Sequence, residues 1–174
     1  MKLFLLLIIA ALPFNMLQAY DLKQLRLEFY AAVKDETAAE SLYTRLKKEK
    51  SPDPLLQAYF GSVEALRAKH SFNPYNKIAY LKRGSQTLGK AVTRSPDNLE
   101  IRFLRFSLEH YVPAFLGYSK NLAADREKIV DLIRKQQTGG LTNGLLQNIA
   151  AFMKESGRCS AKEILILERT LKNG

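Results

Sequence analysis

The sequence predicts an all-α protein of antiparallel helix pairs, about eight helices in all, and three observations carry that prediction. Apolar residues recur at three- and four-residue spacing through most of the chain. No segment sustains the period-two alternation of a half-buried strand. Three dipeptides, Ser51-Pro52, Asn73-Pro74 and Ser95-Pro96, repeat one helix-opening device at 22-residue intervals. In each, a Ser or Asn oxygen can accept from a free first-turn N–H, and the proline stands where its missing N–H costs nothing.

The elements follow in order. Leu22, Leu25 and Phe29 fall on one face, with Leu27, Tyr30 and Ala31 beside it, which predicts a helix from Leu22 to Lys34. Ala39, Leu42, Tyr43 and Leu46 make the stripe of a second, from Asp35 to Lys50. Arg45, Lys47, Lys48 and Lys50 end it, where positive charge complements the helix dipole. Helices at Leu55–Lys69, Tyr75–Arg94 and Leu99–Tyr111 fill the proline intervals, and Pro113 closes the last. Leu122, Ile129, Leu132 and Ile133 predict a helix over Asn121–Gln137. Thr138 to Gly144 holds three glycines and reads as a loop. A short helix over Leu145–Lys154 follows. Ser160-Ala161-Lys162-Glu163 is a capping box that opens the last helix, with Ile164, Leu165, Leu167 and Leu171 as its apolar residues. Short connections imply antiparallel neighbours.

Residues 1–19 have the plan of a secretory signal peptide: Lys2, the apolar run Leu3–Leu12, Pro13, then Ala19 before an expected cut ahead of Tyr20. The run is shorter than the ~20 residues that span a bilayer. No cysteine follows it, which argues against a lipoprotein anchor; the alternative is an uncleaved N-terminal anchor. The expectation is export to the periplasm or beyond, with residues 20–174 as a single helical domain. The chain has one cysteine, Cys159, so no internal disulfide is expected, and the core must hold the fold. Beside Arg158 the thiol reads as structural rather than catalytic.

The chain carries 27 basic and 17 acidic residues; leaving out Lys2 gives 26 against 17, or +9. That charge favours anionic partners, such as acidic proteins, lipid headgroups or phosphorylated glycans. Nucleic acid is not expected for an exported chain.

Ala79, Gly84, Leu88, Gly89, Lys90, Ala91, Val92, Ser95, Pro96, Asp97 and Asn98 resemble the second helix and exit turn of a tetratricopeptide repeat. The upstream helix Leu55–Lys69 pairs with it, and Leu99–Tyr111 fits the opening helix of a next unit. The resemblance implies a short right-handed array of stacked helix pairs whose concave face binds peptides or protein surfaces. The pair spacing, from Pro52 to Pro96, is 44 residues, against the family's 34. The chain also resembles small exported bacterial helical proteins.

Candidate binding residues cluster between Asn98 and Tyr118. Ile101, Phe103, Leu104, Phe106 and Leu108 make a helix apolar on two sides, hence central. Arg102, Arg105 and Glu109 share its remaining face, with Arg105 and Glu109 placed to pair. Two readings stand. The face is a groove of guanidinium donors for a carboxylate or phosphate, or the arginines pair with neighbouring helices. The aromatic turn Tyr111–Tyr118 either offers its tyrosines as binding anchors or packs beneath the next helix. Tyr30 and Tyr43 read as core.

Reaction chemistry has weak support. His70 and His110 are 40 residues apart without a metal-ligand spacing. Glu64 with His70, or Glu109 with His110, would be acid–base pairs if folded together. Gly139-Gly140-Leu141-Thr142-Asn143-Gly144 lacks the Gly-Lys-Ser/Thr ending of a phosphate loop. The expectation is a non-catalytic module with no cofactor and no metal, binding a protein or peptide partner. Alternatives are a binder of anionic lipid or glycan, with weak membrane contact, and a small enzyme.

Overall fold

The computed structural model describes residues 21–172, and the expected signal segment lies outside them. Eight helices make up the described chain, with no strand among the described residues: α1 (Leu22–Lys34), α2 (Glu36–Glu49), α3 (Pro54–His70), α4 (Pro74–Arg94), α5 (Leu99–Tyr111), α6 (Leu122–Arg134), α7 (Asn143–Glu155) and α8 (Ala161–Lys172). A single 3-10 turn, Ala114–Leu116, interrupts the α5–α6 connection. The protein is all-α with the expected number of helices.

Caps explain the boundaries and correct three of them. Asp21 and Asn73 each accept from two first-turn amides of α1 and α4. Ser51-Pro52 does not open α3. The next pair does, with Asp53 accepting from the Leu55 and Leu56 amides and Pro54 in the first turn. The Ser51 hydroxyl accepts from the Asp53 amide and so braces the cap. Ser95 ends α4 rather than starting α5, whose cap is Asn98. α6 stops at Arg134, three residues short of Gln137. Gln136 takes φ 58°, its amide donates to Ile133, and the Gln137 amide reaches back to Leu132. That pairing closes a Schellman-type end without glycine. The capping box at Ser160 and Glu163 forms, with the Ser160 amide 2.7 Å from the Glu163 carboxylate.

Adjacent helices from α1 to α6 run antiparallel. Glu28 of α1 pairs with Arg45 of α2, and Glu40 of α2 with Arg67 of α3. Along α3 and α4, Arg67 meets Tyr80, Glu64 meets Arg83 and Gln57 meets Arg94. Glu109 and Asn121 do the same for α5 and α6. Between α3 and α4 the backbones nearly touch: a Cβ on Gly84 would lie 2.5 Å from the Gly61 carbonyl oxygen. The alternation brings the C-termini of α1, α3 and α5 to one end. Lys69 and His70 at the end of α3 accordingly reach the Val33 and Ala32 carbonyls at the end of α1.

Two hydrophobic cores share α5. Ile101 and Leu104 join Leu25, Leu42, Tyr59, Val63 and Leu88 in the first. Leu99 and Phe106 join Ile129, Leu132, Ile149, Met153 and Leu167 in the second. α5 is the central helix that its two apolar sides require. Tyr43 stacks on Phe60 at the margin of the first core, as its place in the stripe predicts. Tyr30 does not join the core: it is 64% exposed, with Lys34 over its ring, because α1 lies at the edge of the stack.

Candidate functional site

The arginine face of α5 is closed. Arg102 and Arg105 both converge on Asp125, a fully buried residue of α6. Arg105 donates through Nε and Nη2 at 2.7 Å each, and Arg102 through Nη1 at 2.8 Å. Arg102 also donates to the Pro96 carbonyl. Two guanidiniums around one carboxylate make a buried ion triad that repays its desolvation through short charged hydrogen bonds. Of the two readings of this face, the structure forms the pairing with a neighbouring helix, and both guanidiniums are turned to Asp125 rather than to an open groove.

Glu109 is likewise structural. It is buried and accepts from both the backbone and side-chain nitrogens of Asn121, at 2.7 Å each. It does not pair with Arg105; it pins the start of α6. Of the five candidate binding residues Arg102, Arg105, Glu109, Tyr111 and Tyr118, Tyr111 alone is well exposed, at 74%, while Tyr118 is half-buried. The turn between them does not pack beneath α6. Phe115 stands at its tip, 87% exposed, and Ser119 fixes the base by donating to the Glu109 and Val112 carbonyls.

A second aromatic corner escaped the sequence reading. Phe72, in the α3–α4 connection, and Tyr75, in the first turn of α4, are 97% and 85% exposed, and Ile78 follows one turn on. Phe72 precedes the α4 cap. An apolar residue there ordinarily packs on the fourth helical residue, but in this chain that residue is Lys77. The missing partner is the signal that marks Phe72 as exposed. The α3–α4 and α5–α6 corners lie at the same end of the stack, where α3 and α5 finish side by side. Phe72, Tyr75, Tyr111 and Phe115 all stand there.

The acid–base pairs do not assemble. Glu64 is held by Arg83 at 2.8 Å, while His70 Nε2 faces the Ala32 carbonyl. His110 Nδ1 accepts from Arg158 Nε at 2.9 Å, and its ring packs between Phe106, Tyr111 and Phe152. Burial, then the Arg158 cation, lower its pKa. Cys159 is half-buried and donates to the Met153 carbonyl; burial and Glu163 push its thiol pKa up. Among the described residues, no group of three or more His, Cys, Asp and Glu is placed to hold a metal ion. No helix of the described residues is long and apolar enough to cross a membrane. An open cleft of about 430 Å³ at the other end is floored by Leu46, Leu56 and Phe60 and rimmed by Lys47, Lys50 and Lys90.

Fold and surface together define an eight-helix, all-α protein with its most exposed aromatic side chains gathered at one end. No family model, curated protein or solved structure matches this chain.

Proposed function

We propose that the protein is a non-catalytic docking module that engages its partner through the end of the helix stack bearing Phe72, Tyr75, Tyr111 and Phe115. The observation that carries this reading is their exposure, 74% to 97%, on two neighbouring corners. Scattered apolar residues on a surface are ordinary, whereas a gathering of large ones marks a contact site. Aromatic side chains supply large contact area at low entropic cost, which suits them as anchors.

The tetratricopeptide-like arrangement belongs to the same proposal. Its support is that α1, α3 and α5 are successive neighbours, as first helices of stacked pairs are. The contact is then made at the edge of the array rather than along an arginine groove. Export through residues 1–19 remains part of the reading and would place the module in the envelope.

The test compares the wild-type chain with Tyr111→Ser/Phe115→Ser and Phe72→Ser/Tyr75→Ser in capture from a cell extract. Both variants should melt like the wild type, since none of the four side chains is buried. Loss of a retained component by either variant is the expected outcome. Equal retention by all three proteins contradicts the assignment of the face.

A further inference from the structure

We infer that this aromatic end seats on an anionic lipid surface, with Phe72 and Phe115 entering the membrane interface and Lys77, Lys82 and Lys120 meeting the headgroups. The inference rests on the docking reading above and names its partner.

Charge is the first argument. No acidic residue lies between Glu64 and Asp97, or between Glu109 and Asp125, so both corners are built from acid-free chain. The first of these stretches holds Arg67, Lys69, Lys77, Lys82, Arg83, Lys90 and Arg94. Arg67 and Arg83 are used internally, by Glu40 and Glu64. Lys77, Lys82 and Lys120 are exposed and have no ion-pair partner among the described residues. The acidic residues at this end are Asp35, Glu36 and Glu40 at the start of α2, Glu109 at the end of α5 and Glu155 at the end of α7; Glu40 is engaged by Arg67, and Glu109 is buried against Asn121. Asp35 is exposed, with one carboxylate oxygen capping α2 by accepting from the Ala38 amide.

Shape is the second argument, and it separates a lipid surface from an acidic protein. Phe72 and Phe115 stand nearly free, on separate connections. A protein partner would need a matching pocket for each, at fixed spacing. A fluid interface receives both without complementary shape. Tyrosine, phenylalanine and lysine also suit that zone, where apolar rings enter the acyl boundary and ammonium groups remain with phosphate.

The chain contains no tryptophan, so a single introduced indole reports its own surroundings. Phe72→Trp, Phe115→Trp and, at the opposite end, Lys48→Trp would each be prepared in the full chain. Each is mixed with vesicles of phosphatidylcholine alone or of phosphatidylcholine with phosphatidylglycerol. The expected result is a blue shift and quenching by brominated lipid for Phe72→Trp and Phe115→Trp on the anionic vesicles. The signal at Lys48→Trp should not change. Adding Lys77→Glu/Lys82→Glu to Phe72→Trp should weaken binding about tenfold or more at low salt. Unchanged emission at both corners, or an equal shift at Lys48→Trp, overturns the inference. If the corners ignore vesicles but the Ser variants still lose a protein partner in capture, the lipid assignment fails and the docking reading stands. If both assays are flat, both fail.

Discussion

Arg105 closes on both carboxylate oxygens of Asp125, at 2.7 Å each, and that pairing fastens α5 to α6. Arg102 completes the triad from the preceding turn of the same helix. A fully buried carboxylate held by two cations is a structural clamp. Removing it strands both guanidiniums against the second core.

The first prediction follows from that clamp. Asp125→Ala should destabilise the protein by about 3–5 kcal/mol in urea unfolding, the usual cost of breaking a buried pair from one side. Arg105→Ala should cost nearly as much, and the Asp125→Ala/Arg105→Ala double variant clearly less than the sum of the two. Additive losses would show that the contact carries no coupling.

Glycine supplies the second. A Cβ on Gly61 would lie 2.9 Å from the Gly84 carbonyl oxygen, and one on Gly84 2.5 Å from that of Gly61, so backbone blocks both. Alanine gains ~1 kcal/mol in helix propensity. The overpacking should exceed it, leaving Gly84→Ala destabilised by about 1–3 kcal/mol. At Gly89 a Cβ would meet nothing within 4 Å, so Gly89→Ala should stabilise by about 0.5–1 kcal/mol. Chemical denaturation of the two variants checks the opposite signs.

His110 gives a pH dependence. Burial and the neighbouring Arg158 cation lower its pKa from the ordinary 6.5. The unfolded chain therefore takes up a proton that the folded chain resists. The associated stability is present above about pH 6.5 and is lost as pH falls below it. Arg158→Ala should move the His110 titration upward, read by NMR of the ring protons. An unchanged midpoint would show that the Arg158 contact has no electrostatic effect.

Tyr59 acts at the other end of the scale. Burial first, then the Glu100 carboxylate 2.5 Å from its hydroxyl, hold its pKa far above the ordinary 10. The folded chain keeps a proton that the unfolded chain releases, so stability present below pH 10 declines as pH rises beyond it. Tyr59→Phe should flatten that decline and cost about 1–2 kcal/mol near neutrality, because Arg26 still satisfies Glu100 at 2.7 and 2.8 Å.

Local signals in the sequence reached the helices and stopped at their partners. The bounds of α1 and α5 are legible from apolar spacing alone, since their caps, Asp21 and Asn98, are not the ones the Ser/Asn-Pro dipeptides mark. In Ser51-Pro52-Asp53-Pro54 two capping steps compete, and the carboxylate of Asp53, accepting from two amides, takes the role. The arginine face was legible, and so was pairing with a neighbouring helix as one of its two uses, but not the partner. Sequence spacing offered Glu109 to Arg105, while the fold supplied Asp125, 20 residues away. The same limit hid the aromatic end. Phe72 and Phe115 stand at one end only because α3 and α5 finish side by side.

The most direct test of the docking face is site-specific photo-crosslinking in cells expressing the full chain. A photo-reactive side chain is placed at position 72 or 115 on the aromatic end, or at position 48 or 136 on the other. Adducts, protein or lipid, formed from 72 and 115 and not from 48 and 136 are the predicted result. Adducts formed equally from both ends, or from 48 and 136 alone, would contradict it.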